Sequence, residues 1–280
     1  MSSFSSKVAT KKDILVKQKL LLMSSDESYK ESKEKLMTLN LLKLTFEKFE
    51  NLESMKNYLQ EHNVEVSIAN LSRYLNGKAI PKSKLKNQLL EVLIRGGRKG
   101  VSIKELINNN IEIFSDSSGN TGIGNSNLLK NLKILKAVLF LALKKEIIPL
   151  DTDKVLCKEV ESIPIAMALA ELLNVDCLYA RKEKPIGKSV SHSEDILAIT
   201  SGRIETLYLA ENSIREEEKI LIVTDVNKTG ATIKALTKLV EKFNAIPYKT
   251  MSLISLGSHW DNITEFEGIP FSTLLSVPTT

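Results

Sequence analysis

Cysteine is scarce in this sequence: Cys157 and Cys177 are the two present, and the three histidines, His62, His192 and His259, are scattered. With no Cys-x-x-Cys spacing, neither a disulfide scaffold nor a zinc site is expected, and free thiols in buried strands suit a reducing interior. Long apolar runs are also missing. The longest, AVLFLAL at 137–143, falls far short of the roughly 20 residues a membrane-spanning helix needs. The opening MSSFSSKVATKKDILVK lacks an apolar core followed by a small-residue cleavage site, so no secretory signal is read there. A cytoplasmic protein without a membrane partner is the expectation.

What is present is 42% hydrophobic and 26% charged residues, the balance of a globular protein, and a net charge of +5 that is unevenly spread. Residues 1–100 carry 19 Lys and Arg against 11 Asp and Glu, whereas the remainder carries 20 against 23. Within 70–100 stand Arg73, Lys78, Lys82, Lys84, Lys86, Arg95, Arg98 and Lys99 against a single acid, Glu91. Such a front fits a polyanion such as nucleic acid, or else a solvated lysine-rich surface.

The periodicity divides the chain. Residues 1–35 read as a frayed arm or peripheral helix. From Leu36 four short amphipathic segments follow one another (LMTLNLLKLTF, LESMKNYLQEH, VSIANLSRYLNG, SKLKNQLLEVLIRG), making an all-α domain over 36–114. The Gly/Ser/Asn-rich SDSSGNTGIGNSN, 115–127, reads as a linker. Over 128–280 a helix at 127–147 is followed by strand–helix–strand (KVLCKEV, ESIPIAMALAELLN, DCLYARK), a variable stretch at 182–205, and the strands TLYLA, ILIVT and TMSLISL. That alternation predicts an α/β unit with a mostly parallel sheet, whose ligand sits beyond the carboxyl ends of the strands.

One loop at that edge carries chemistry. In ILIVTDVNKTGATIKAL (220–236) a strand delivers Asp225, and Thr229 and Thr232 flank Gly230 and Ala231 where a helix begins. Small residues let backbone N–H groups approach an anion, the helix start adds positive potential, and two hydroxyls can donate. A monophosphate fits; a tight turn with a capping Thr explains the same letters. The Gly-x-x-x-x-Gly-Lys-Ser/Thr spacing of a P-loop is absent.

This segment resembles the signature of type I phosphoribosyltransferases, in which a strand ends in two acids and a Thr-Gly-x-Thr loop grips the 5′-phosphate of phosphoribosyl pyrophosphate. KEVESIPIAMALAELLNVDCLYARK is similar to that family's pyrophosphate-loop strand and helix, and 182–210 stands where the family has its hood. The resemblance implies that Thr224, Asp225, Val226, Asn227, Lys228, Thr229, Gly230, Ala231 and Thr232 hold the phosphoribosyl group, with Asp225 on the ribose hydroxyls. It implies that Glu159, Val160, Glu161 and Ser162 form the pyrophosphate loop, with Arg181 and Lys182 facing the pyrophosphate. Two departures are visible. Thr224 replaces the first acid, and Glu161 brings a carboxylate to a loop that is usually small and Gly-rich. A close like-charge pair at a surface-like dielectric costs about 4 kcal/mol. Sensing without turnover is therefore expected, with no required cofactor and with Mg²⁺ admitted alongside pyrophosphate.

In the front half, Leu52, Met55, Tyr58 and Leu59 form one apolar stripe and Ile68, Leu71, Tyr74 and Leu75 a second, with a turn at His62–Glu65, Gly77 as C-cap and Pro81 beyond. This is a helix-turn-helix pattern, a small dimerisation module being the alternative. The opposite face presents Ser67, Asn70, Ser72 and Arg73, residue types that read base edges, with Lys78, Lys82 and Lys84 as phosphate clamps. LSRYLNGKAIP resembles the recognition helix of phage-repressor-type domains. The order of the two halves resembles a group of archaeal, orotate-phosphoribosyltransferase-like transcription regulators. That implies a homodimer on an inverted-repeat operator in double-stranded DNA, responding to phosphoribosyl pyrophosphate or a nucleoside monophosphate. The alternative is an active phosphoribosyltransferase with a helical assembly domain. His192 is read as an exposed loop residue or a pyrophosphate contact, Trp260 as lining a base pocket or packing the sheet edge, and both cysteines as core.

Overall fold

A computed structural model describes residues 11–95, 97–115, 121–184, 191–198 and 203–279. The chain forms two compact units, Met1–Gly100 and Val101–Thr280.

In the first unit α1 spans Lys11–Phe46, α2 Leu52–Glu61, α3 Ile68–Leu75 and α4 Ser83–Arg95. The expected arm is thus helical from Lys11 and runs without a break into the first predicted segment; residues 1–10 lie outside the described set. Leu41 and Leu42 of α1 and Leu89 and Leu93 of α4 are fully buried, and Lys86 of α4 makes a buried ion pair with Glu34 of α1. Asn51 starts α2 with a capping box: its side chain accepts from the Ser54 N–H and the Ser54 hydroxyl accepts from the Asn51 N–H. Both α2 and α3 end in Schellman turns. The Val64 N–H donates to Leu59 O and that of Lys78 to Arg73 O, with Asn63 and Gly77 left-handed at φ 60° and 67°.

The second unit opens with α5 (Ile103–Asn108), then β1 (Glu112–Ser115) and β2 (Thr121–Gly124), which pair antiparallel. The stretch expected as a linker therefore carries a paired strand and belongs to this unit, whose boundary falls earlier, at Gly100; residues 116–120 lie outside the described set. Next come α6 (Ser126–Lys130) and α7 (Leu132–Lys144). The single helix expected at 127–147 breaks at Asn131 because that side chain accepts the Ile134 N–H and caps α7.

The sheet elements are β3 (Lys154–Lys158), α8 (Ile163–Leu173), β4 (Asp176–Ala180), β5 (Ser191–Ala198), β6 (Arg203–Ala210), β7 (Lys219–Asn227), α9 (Ala231–Glu241), β8 (Ile246–Leu256), β9 (Glu265–Phe266) and β10 (Ile269–Val277). The main sheet has the order β4-β3-β7-β8-β10-β9, parallel except for β9. The expected α/β fold with a mostly parallel sheet and an N-terminal helical region is the fold observed. Ile220 and Ile222 of β7 pack with Ala235, Leu236 and Leu239 of α9. Their neighbours point to the opposite face, where Asp225 meets Ser162 at the start of α8, so helices cover both faces. Truncating a core residue such as Leu236 costs about 2–5 kcal/mol. The variable stretch at 182–205 contains most of a hairpin, β5 with β6, joined to the end of β4 by an Arg181–Tyr208 bridge. Residues 185–190 and 199–202 of the expected hood lie outside the described set. Among the described residues no helix is long and apolar enough to cross a membrane.

Candidate functional site

Parallel strands deliver two loops to one edge of the sheet, 159–162 after β3 and 228–230 after β7. Asp225, near the end of β7, joins them. Its Oδ1 accepts from Ser162 Oγ at 2.9 Å, its Oδ2 accepts from Asn125 Nδ2 at 3.1 Å, and its N–H donates to Ser162 Oγ at 3.1 Å. The carboxylate is therefore oriented from two sides while staying half-buried rather than sealed. Asn125 was absent from the sequence-based site. It lies in the stretch that read as linker, at the N-cap of α6, yet its side chain caps nothing and turns to Asp225 instead.

The loop after β7 is built from behind. Gly230 has φ 76°, and a Cβ there would lie 2.1 Å from the Phe266 ring, so only glycine fits between loop and ring. Trp260 Nε1 donates to Lys228 O at 3.3 Å, and Trp260, 3% exposed, packs with Phe266, Phe271 and Ile233. Of the two readings of Trp260, packing is the one observed, with the loop as what it supports. Asn227 corrects the expected ligand set. It is 4% exposed, its Oδ1 accepts the Gly230 N–H at 2.8 Å, and Nδ2 faces Ser255 Oγ at 3.5 Å, so it holds the turn rather than facing a ligand. Thr224 is likewise inside, 3% exposed, and its hydroxyl has no partner among the described residues. Lys228 and Thr229 are exposed and Val226, Ala231 and Thr232 partly so. The solvent-facing part of this loop thus lies mainly at 228–232, with N–H groups of the first turn of α9 behind it.

The 159–162 loop is mixed. Glu159 Oε1 accepts the Lys182 N–H at 2.7 Å, Val160 and Glu161 are exposed, and Ser162 is buried against Asp225. Arg181 lies over the Tyr179 ring, donates to its hydroxyl at 2.9 Å and is exposed. Lys182 and Lys158, the latter unassigned from sequence, both pair with Glu205 of β6. Lys158 holds the Glu205 carboxyl below its ordinary range, by hydrogen bond and by charge, against the opposing pull of burial. The Cys157 thiol is pushed up by its hydrogen bond with Cys177, by burial and by the Asp225 charge. His192 is half-buried with its ring 4.4 Å from that of Phe243, a packing role that neither earlier reading named. Among the described residues no group of three or more His, Cys, Asp or Glu side chains converges as a metal site.

In the first unit α3 exposes Asn70 and Arg73, and Lys78, Lys82 and Lys84 are exposed beside it. Ser67 is the N-cap of α3, its Oγ accepting the Asn70 N–H at 3.2 Å, and Ser72 is half-buried and bonded by Asn76. Their hydroxyls therefore serve the helix first. Ile68, expected on the buried stripe, is 37% exposed, because α3 turns its seam on Leu71 and Tyr74.

The family model described as phosphoribosyl transferase domain matches residues 124–265. The purine biosynthesis transcriptional repressor PurR of Bacillus subtilis is 33% identical over 95 residues, which are 34% of this chain and 33% of that repressor. A hypoxanthine/guanine phosphoribosyltransferase of Methanothermococcus okinawensis is 30% identical over 151 residues, 53% of this chain and 78% of the enzyme. The fold is similar to that of adenine phosphoribosyltransferase from Thermoanaerobacter pseudethanolicus, with a TM-score of 0.54 and 22% identity over 63% of this chain and all of that one. The chain thus spans about a third of the length of the PurR repressor that it matches.

Proposed function

The chain belongs to the phosphoribosyl transferase domain family, and from that premise we propose that it is a transcription regulator whose second unit binds a phosphoribosyl ligand without turning it over. The ligand is phosphoribosyl pyrophosphate or a nucleoside monophosphate, seated with its 5′-phosphate on 228–232 and its ribose at Asp225. Homodimers present the first unit, through α3, to an inverted repeat in duplex DNA. Similarity to a regulator named for purine biosynthesis supports the regulatory half of this reading.

The observation that carries it is the pairing of Thr224 with Asp225. Where the type I signature places two acids, one is a buried neutral hydroxyl and the other is already bonded to Ser162 and Asn125. A ribosyl-cation transition state draws its stabilisation from aimed negative charge, and half of that set is missing here. Glu161, exposed in the neighbouring loop, adds repulsion toward a leaving pyrophosphate. Among the described residues no cluster of carboxylates forms a magnesium cage, and Mg²⁺ would be carried in with a ligand's phosphates.

The alternative, an active phosphoribosyltransferase, is favoured by the match over most of an enzyme's length. Isothermal titration with phosphoribosyl pyrophosphate and with nucleoside monophosphates, with and without Mg²⁺, beside a turnover assay on free nucleobases, separates the two. Binding without turnover is expected. Robust nucleotide formation establishes the enzyme instead, and no binding of either ligand removes the sensing role.

A further inference from the structure

Lys158 ends β3, immediately before the 159–162 loop, and Lys182 lies two residues beyond the end of its parallel neighbour β4. Both reach a single carboxylate. Lys158 Nζ meets Glu205 Oε2 at 2.6 Å and Lys182 Nζ meets Glu205 Oε1 at 3.3 Å, so each oxygen takes one cation. The backbone of Lys182 is fixed as well, its N–H donating to Glu159 at 2.7 Å. Two ammonium groups spaced to share one bidentate anion have the donor chemistry that a diphosphate asks for.

Glu205 is not needed to dock its hairpin. Ile196, Leu207 and Leu209 bury the inner face of β5 and β6 in the core shared with α9, and the Arg181–Tyr208 bridge fixes the edge. The carboxylate itself is partly open, with 31% of its side-chain surface exposed against 20% for Lys158. Lys158 holds it beside the start of the 159–162 loop, with part of its surface open to solvent.

We propose that Lys158 is a diphosphate-binding residue and that Glu205 is its internal counter-anion, which a diphosphate-bearing ligand must displace from Lys158 and Lys182. The inference rests on the ligand reading above and deepens it. Exchange of one carboxylate charge for a more highly charged diphosphate favours phosphoribosyl pyrophosphate over a monophosphate, which does not reach these lysines and gains nothing from the exchange. A bound diphosphate then frees the Glu205 side chain from Lys158 and Lys182, while the apolar face of β5 and β6 keeps the hairpin docked. The Glu205 carboxyl, held below its ordinary range by the Lys158 hydrogen bond, is in keeping with a charged, cation-held group in the unliganded protein.

The test uses the full chain and two probes, inorganic pyrophosphate with Mg²⁺ and a nucleoside monophosphate, by isothermal titration. For Glu205→Gln, pyrophosphate should bind about three- to tenfold more tightly, the size expected when one partly exposed competing charge is removed, with nucleoside monophosphate affinity unchanged. Lys158→Met should weaken pyrophosphate by a similar factor or more, and the double variant should lose the gain. The single lysine variant carries the test if Glu205→Gln folds poorly by circular dichroism. Wild-type protein that binds neither probe overturns the site reading and this inference together. Wild type that binds both, while Glu205→Gln shows no gain or Lys158→Met no loss for pyrophosphate, overturns this inference alone.

Discussion

Asp225 illustrates how one side chain acquires a role from residues far away in sequence. Its carboxylate accepts from Ser162 on one oxygen and from Asn125 on the other, and the Asn125 amide has no other hydrogen bond among the described residues. A hydrogen bond to a charged group is worth about 1.5–3 kcal/mol, less where solvent competes. Asn125→Ala should therefore leave the fold intact and weaken ribose-containing ligands about tenfold, while inorganic pyrophosphate, which does not touch Asp225, binds as before. Titration calorimetry with both probes checks this, and equal loss for both would deny Asn125 its positioning role. Asp225, Thr229 and Gly230 were legible in the sequence because strand, acid and small-residue loop are contiguous there. Asn125 was not, since it is 100 positions away in a polar run that looked like linker. Asn227 was misread because an asparagine at a loop start can face a ligand or fold back on its own turn, and here the Gly230 N–H decided it.

At the scale of elements, periodicity was a good guide wherever a face is half-buried, as in α2, α3, α8 and α9. It failed where polar side chains compete with the helix ladder, so that Asn131 divides α6 from α7, and where strands are polar, as in SHSEDILA, which became β5. The end of α3 was read correctly from Gly77 and Pro81, and its geometry yields a measurable cost. Gly77 has φ 67°, and a Cβ there would meet nothing within 4 Å, so a substitution pays for the backbone alone. Gly77→Ala should destabilise the first unit by about 1 kcal/mol, whereas Gly77→Asn, which tolerates the left-handed region, should recover most of that. Urea denaturation followed by helical circular dichroism reads the difference; identical midpoints for glycine and alanine would contradict the Schellman assignment.

For the molecule as a whole, charge is the property most visible in sequence, and the structure redistributes what it implies. The cationic run in 70–100 counts Lys82 and Lys86 alike, yet Lys82 is exposed beside α3 while Lys86 is 5% exposed and paired with Glu34. Only a lysine that reaches phosphate releases a counterion on binding DNA. Under the regulatory reading, Lys82→Ala should weaken binding uniformly across sequences and lower the slope of log K against log salt by about 1, with stability unchanged. Lys86→Ala should do the reverse: remove about 1–2 kcal/mol of stability, discounted for the partial exposure of Glu34, and leave the salt slope of the folded fraction alone. Arg73→Ala, at the exposed face of α3, should relax sequence selectivity more than it lowers affinity for random duplex. Any effect of ligand must then enter as coupling, where a tenfold change in DNA affinity corresponds to about 1.4 kcal/mol between ligand-bound and free dimers. Mobility-shift titrations at several salt concentrations, each with and without phosphoribosyl pyrophosphate, measure slope, selectivity and coupling together. A full chain whose salt slope is equally insensitive to Lys82 and Lys86 does not engage DNA through α3 and its neighbouring lysines.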